Sequence, residues 1–347
     1  MSEPTKHIAV IRLSAMGDVA MTVPVILAFV KQYPDVKVTV VSRVFFKPIF
    51  HDISNVNFFT AHVHHRHKGL LGLFRLYKDL KSIGVTEIAD LHNVLRSKVV
   101  RTLFALSGKK VAFTDKGRAE KKALTQLKNK QFQPLKTMFE RHAETFQKLG
   151  YPIDLNSPSF LAQEEIPEKI IDLIGEKKQQ WIGIAPFAHY SRKAYPLDLM
   201  QEVIDELSKH PDLRILLLGG GKREKDKLSQ MATGLTNVYN LAGIISFEKE
   251  LQLISNLDLM VSMDSGNAHL AAMFGVTTIS IWGATHPYAG FAPFGQPLEN
   301  CLVSDREKYP LLPTSVYGNK KVAGYEEVMR TITPESIVAL INKNLKL

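Results

Sequence analysis

Leu257-Asp258-Leu259-Met260-Val261-Ser262-Met263-Asp264-Ser265-Gly266-Asn267-Ala268-His269 is the stretch on which the fold turns. Its apolar run, 257–263, reads as a buried strand, and small residues over 268–274 read as a helix. An apolar strand passing through Asp-Ser-Gly into a helix leaves backbone N–H groups and the positive end of the helix dipole at the junction. Gly266 lets an anion approach the backbone, and His269 lies in the first turn, within reach of the same ligand. The junction reads either as a phosphate site or as an ordinary Asp or Ser helix cap.

The same alternation extends in both directions. Upstream, strands are expected over 8–13, 36–41 and 86–91, with helices over 19–32, 69–82, 95–106 and 136–149. The stretch 150–167, rich in Pro, Asn and Ser, reads as a linker. Beyond it strands are expected over 181–185, 213–218, 238–241, 258–262 and 277–282. The helices between them span 197–210, 222–232, 247–255 and 268–274. Thr333 as N-cap with Pro334 at the first helical position starts a last helix. Buried strands alternating with helices imply parallel sheets covered on both faces. The expectation is an α/β chain of two Rossmann-like domains, 1–162 and 163–347, facing a central cleft, with the last helix free to pack back on the first domain. Ligands belong at the carboxyl ends of the strands.

Composition narrows the setting. A chain of 347 residues with 45% apolar side chains suits two full cores. Cys301 is the single cysteine, so no disulfide framework exists and a reducing compartment is expected. The polar start, Met1 to His7, has no signal-peptide pattern, and no apolar run is long enough to span a bilayer. A cytoplasmic location is expected. The net charge is +10, carried by residues 1–165 at +11 against −1 for the rest. Lys109, Lys110, Lys116, Arg118, Lys121 and Lys122 are central to this excess. It points to an anionic partner, such as an acidic glycolipid, a membrane surface or nucleic acid, or else to a solvated face.

Several further residues suit chemistry. Arg12-Leu13-Ser14-Ala15-Met16-Gly17-Asp18 follows the first strand and is not a dinucleotide-binding glycine motif. Ser14 and Gly17 suit a tight turn, and Asp18 is either a helix cap or a carboxylate placed to take a proton. Arg192 and Lys193 follow the first strand of the second half and either neutralise phosphates or decorate the surface. Gly219-Gly220-Gly221 with Glu224 follows the next strand, as a ligand approach with a ribose acceptor or as a flexible turn. Trp282-Gly283-Ala284-Thr285-His286-Pro287 ends another. No two Asp residues are spaced i, i+2, so a D-x-D site for a metal-chelated diphosphate is absent. The run His62, His64, His65, His67 reads as a transition-metal patch or an exposed loop.

Together these residues resemble the bacterial heptosyltransferase family, glycosyltransferase family 9, whose fold is GT-B. The resemblance is densest over 11–18 and 264–272, with support from Lys193 before Tyr195-Pro196, Gly219-Gly220 with Glu224, Gly243 with Phe247-Glu248, and 282–287. It implies an inverting, metal-independent glycosyltransferase that moves a sugar, usually heptose from ADP-heptose, onto a lipopolysaccharide core or related anionic glycolipid. By matching position it implies Asp18 as general base. Lys193 with Asp264, Ser265, Gly266 and His269 would hold the diphosphate, Glu224 the ribose, and Ile244 and Ile245 the base. Ser14, Gly17 and Arg118 are expected on the acceptor side. No metal, no cofactor and no nucleic acid are expected, and a peripheral contact with the cytoplasmic face of the inner membrane is. The chain departs from the family pattern at Ala188 and His189, where hydroxyl residues are frequent, and at Tyr195, where Trp is common.

Overall fold

A computed structural model describes residues 6–347, so the polar start Met1–Thr5 lies outside the described residues. The chain divides into two compact units. Unit 1 comprises Met1–Lys116 and Met138–Leu161, and unit 2 comprises Gly117–Thr137 and Ala162–Leu347.

Unit 1 holds strands β1 (His7–Ile11), β2 (Lys37–Ser42), β3 (Val56–Thr60), β4 (Glu87–Asp90) and β5 (Lys110–Phe113). They form one parallel sheet in the order β3-β2-β1-β4-β5. β1, central and buried at every position, carries the apolar run Ile8-Ala9-Val10-Ile11, as a strand covered on both faces must. Ile11, Val41, Leu73, Leu76, Ile88 and Phe104 make one core layer. Phe29 packs against Phe146 with ring centroids 4.7 Å apart and the planes tilted by 31°.

Unit 2 holds β6 (Gln180–Ala185), β7 (Leu213–Leu217), β8 (Val238–Asn240), β9 (Leu259–Met263), β10 (Thr277–Trp282) and β11 (Cys301–Val303). Their order is β11-β10-β9-β6-β7-β8, all parallel. Ile182, Ile184, Ile215, Leu217, Val261 and Ile281 supply its core. Each sheet therefore has one switch point where the strand order reverses: between β1 and β4 in unit 1, and between β6 and β9 in unit 2. Ligands of open parallel sheets bind outside the carboxyl ends of such strand pairs.

Three expectations need correction. β3, β5 and β11 were not expected as strands. All three are short sheet edges with half-exposed side chains, so they lack the continuous apolar run of a central strand. The expected helix over 19–32 is two, Met16–Ala20 and Val23–Gln32. Pro24 opens the second helix, and Thr22, whose hydroxyl donates to the Val19 carbonyl at 2.7 Å, stands at the break.

The segment Gly117–Thr137, placed with the first half by sequence, packs in unit 2. Phe132 lies 5.0 Å from both His286 and Tyr288, Leu135 N–H donates to Tyr288 O at 2.9 Å, and Lys130 Nζ donates to Pro313 O at 2.6 Å. The last helix, Pro334–Leu345, belongs to unit 2. Its Ile337 and Ile341 are buried against the helix Leu197–Ser208 and strands β9 and β10 of unit 2. Thr333 caps it, accepting the Ser336 amide at 3.2 Å.

Candidate active site

At the switch point of unit 1 the loop after β1 folds around Arg12, which is almost wholly buried. Its guanidinium donates to Leu91 O (2.7 Å) and Ser14 O (2.9 Å) and pairs with Asp18 Oδ2 at 2.6 Å. Arg12 thus ties the β1 and β4 exits together and fixes the carboxylate. Asp18, about one third exposed, sits in the helix Met16–Ala20 and also accepts the Ala15 amide at 3.3 Å. It is therefore both a capping residue and a partly exposed carboxylate at the carboxyl edge of the sheet. Ser14 and Gly17 flank it, half-buried, and the Ser14–Ala15 peptide bond is cis.

The facing loop after β4 was not singled out by sequence. Asp90, fully buried, accepts the amides of His92 (3.0 Å) and Asn93 (2.7 Å) and pairs with Arg101 at 2.8 Å. His92 Nδ1 accepts the Leu13 amide at 3.4 Å. Burial, then the nearby Arg12 and Lys116 charges, push its pKa down to about 3, so the ring is neutral with its proton on Nε2. The signal was available: His92 lies just past a strand end, at the edge where ligands bind.

In unit 2, the exits of β6, β9 and β10 converge. Lys193 ends the short helical turn Ser191–Lys193 after β6. Its Nζ is 2.8 Å from Asp264 Oδ2, which follows β9. Both side chains are largely buried, at 16% and 8% exposure. Ser265 Oγ is 3.0 Å from Ser262 Oγ, and Gly266 begins the helix Gly266–Ala272, in which His269 is buried. Past β10, Ala284 N–H donates to Arg192 O at 3.2 Å, and Ala284 O accepts the amides of Thr314 and Ser315.

This latch carries Gly318, at φ +77°, directly against the stem of Lys193, so that a Cβ there would overlap Lys193 Cγ. Sequence spacing held no sign of Gly318, because it acts through a contact distant in the chain. Thr285, 2% exposed, has an Oγ1 without a hydrogen-bond partner, and so has Arg192 Nε. Such orphaned groups are rare in a core and are what a polar ligand would satisfy.

The remaining predicted residues lie on other edges. Glu224 reaches back to its own helix start, Oε2 accepting the Gly220 amide at 2.7 Å past β7. Ile244 and Ile245, half-buried, follow β8, and Ile244 O accepts Lys169 Nζ at 2.7 Å. The strand order sets β7 and β8 beside β6, so these edges succeed one another along the sheet.

Arg118 opens the helix Arg118–Thr125 in unit 2, whereas Ser14 and Gly17 are in unit 1. The basic run is divided between the units, Lys109, Lys110 and Lys116 in unit 1 and Arg118, Lys121 and Lys122 in unit 2. Lys110 starts β5, at the amino edge of its sheet, opposite Asp18. Lys121 is 3% exposed with Nζ 4.1 Å over the Phe291 ring. Of the histidine run, His67 is buried, its Nδ1 accepting the His62 amide (2.9 Å) and its Nε2 donating to Asp79 (3.0 Å). Among the described residues no group of three His, Cys, Asp or Glu side chains is arranged to hold a metal. No helix among them is long and apolar enough to cross a membrane.

A family model described as glycosyltransferase family 9 (heptosyltransferase) matches residues 73–319. The lipopolysaccharide core heptosyltransferase OpsX of Haemophilus influenzae is 22% identical over 292 residues, covering 82% of this chain and 81% of the relative. A glycosyltransferase family 9 crystal structure from Veillonella parvula superposes with TM-score 0.76 at 16% identity, covering 100% of this chain and 99% of that one. The Escherichia coli heptosyltransferase WaaC with ADP superposes with TM-score 0.69 at 18% identity, covering 97% and 99%. The fold is that of these enzymes, with two parallel α/β sheets of the GT-B kind.

Proposed function

We propose the reaction from the family: the chain belongs to glycosyltransferase family 9, the heptosyltransferases, and is a glycosyltransferase. Its activity is heptosyl transfer in lipopolysaccharide biosynthesis, as the name of the Haemophilus relative and the ADP in the WaaC structure suggest. The finer reading is an inverting, metal-independent transfer from ADP-heptose to a lipopolysaccharide core or related anionic glycolipid, at the cytoplasmic face of the inner membrane. The single cysteine, Cys301, accords with a reducing compartment.

In this reading unit 1 supplies the base. Asp18 takes the proton of the acceptor hydroxyl as that oxygen attacks the anomeric carbon, and Arg12 holds the carboxylate in position. The bond to the diphosphate oxygen breaks on the opposite face of the sugar, and ADP leaves with the electron pair. Unit 2 receives that charge. Lys193, held by Asp264 and braced by Gly318, meets the phosphates, with Ser265, Gly266 and His269 beside it. Glu224 is assigned the ribose, Ile244 and Ile245 the adenine. Arg118 is assigned to the acceptor.

The observation that supports the reading is the Lys193–Asp264 pair at the β6/β9 switch point, a largely buried cation at the sheet edge where ligands of such folds bind. The test is incubation of the purified protein with ADP-heptose and heptose-deficient lipopolysaccharide, followed by mass spectrometry. A product heavier by one heptose, with release of ADP, is expected. Donor binding without transfer to any such acceptor would leave a nucleotide-sugar binding protein in place of an enzyme.

A further inference from the structure

The helix Gly69–Ser82 is apolar on two faces at its amino end. Its inner face, Leu73, Leu76 and Leu80, is buried in the core of unit 1. Its outer face carries Leu70 at 75% exposure, Leu71 at 76% and Phe74 at 42%. A surface helix ordinarily turns polar residues outward. Contiguous exposed apolar side chains with a polar rim mark an interaction site. Here the rim is cationic: Arg66, Lys68, Arg75, Lys78 and Lys81 are all exposed. Asp79, the one acidic residue of this helix, is engaged by Arg66 at 2.8 Å and by His67 at 3.0 Å.

The turn that bears the leucines is held rigidly. His67 bridges the His62 amide and Asp79, closing the loop that precedes the helix. Gly72 lies against the His67 backbone so closely that a Cβ would overlap the His67 carbonyl carbon. The histidine run is therefore the mount of this turn. The mount leaves the carboxyl end of β3, and in a parallel sheet that is the edge from which the Asp18 loop leaves β1.

We propose that Leu70, Leu71 and Phe74, with their cationic rim, dock unit 1 onto a bilayer bearing anionic headgroups. The side of the sheet that carries Asp18 then faces the lipid. The proposal deepens the function above and rests on its glycolipid acceptor, whose sugar projects from such a surface. Apolar side chains would enter the boundary between headgroups and acyl chains while the Lys and Arg rim meets the headgroup charge. Each cation near an anionic surface contributes about fivefold in partitioning, and salt screens that part.

The experiment is co-sedimentation of the full chain with vesicles of phosphatidylethanolamine and phosphatidylglycerol, against vesicles of phosphatidylcholine alone. The wild type is expected to sediment with the anionic vesicles, less so at high salt. Leu70→Gln/Leu71→Gln/Phe74→Gln should bind roughly tenfold more weakly or worse, with unchanged thermal unfolding because these side chains face outward. Lys68→Gln/Arg75→Gln/Lys78→Gln should lose binding to anionic vesicles and with it the salt dependence. Wild-type protein that ignores anionic vesicles, or an apolar triple variant that binds them normally, would overturn the proposal. So would a wild-type dimer that the apolar substitutions dissociate without changing vesicle binding, which would assign the patch to a second copy. Transfer to a delipidated, water-soluble acceptor separates the two readings. The apolar triple variant should keep it, and its absence in the wild type would count against the proposed function while vesicle binding stood on its own.

Discussion

Lys193 Nζ and Asp264 Oδ2 lie 2.8 Å apart although the residues leave two different strands, β6 and β9. The strand order brings them together, because β6 and β9 are neighbours at the point where that order reverses. A largely buried cation needs a compensating charge, and breaking such a pair leaves the other charge uncompensated. In the free protein Asp264 meets that need. A diphosphate would offer Lys193 a second anionic partner without moving it.

Lys193→Ala should weaken ADP binding by roughly 1.5–3 kcal/mol, the cost of losing a charged hydrogen-bond partner. Adenosine binding should hardly change, since only the phosphates meet the ammonium group. Isothermal titration with both ligands measures the difference. Equal losses would mean that the substitution disturbs the fold and that Lys193 has no special relation to phosphate.

Gly318→Ala should mimic part of that defect from outside the charged pair. The added methyl would overlap the Lys193 stem and would have to tolerate a positive φ. Overpacking of this kind costs typically about 1–3 kcal/mol. Thermal unfolding and ADP titration should both report a loss, whereas Gly220→Ala, with open space around its Cβ position, should leave stability nearly unchanged.

Asp18→Asn should lower kcat by about 10²–10⁴-fold, the usual share of a general base. ADP affinity should stay near wild type. The asparagine keeps the shape but gives up the ion pair with Arg12, so the melting temperature should be recorded alongside. Turnover close to normal would leave Asp18 as a helix cap only.

Chelation tests the source of positive charge at the leaving group. With Lys193 in that role, EDTA should leave transfer largely intact and added Mg²⁺ or Mn²⁺ should not be required. An absolute metal requirement in a discontinuous assay of ADP release would contradict the assignment.

Glu250 gives a pH prediction with a definite sign. Burial pushes its pKa up to about 7 from an ordinary 4.5. Between these values the unfolded chain has given up the proton and the folded one still holds it. Stability therefore falls as pH rises from about 4.5 to about 7 and bears the full penalty above. Glu250→Gln should remove this fall, gaining on the order of 2–3 kcal/mol at pH 8 and little at pH 4. Urea unfolding of both proteins across this range isolates the contribution, and parallel curves would rule it out.

What the chain alone determined is the alternation and its punctuation. Central strands such as β1 and β9 are legible because burial on both faces demands unbroken apolar runs, and strand exits point to Asp18, Lys193 and Asp264 as candidates. Edge strands β3, β5 and β11 were not, since an edge has one partner and tolerates polar or short sequences. Tertiary structure decided who meets whom: Arg12 with Asp18, Lys193 with Asp264 and Gly318, His92 with the Leu13 amide. It also dispersed the basic run, sending Lys110 to the amino edge of one sheet and burying Lys121 against Phe291 in the other unit. Periodicity is a property of neighbours along the chain. The pairing of distant loops depends on strand order, which the whole chain settles at once through the burial of its cores.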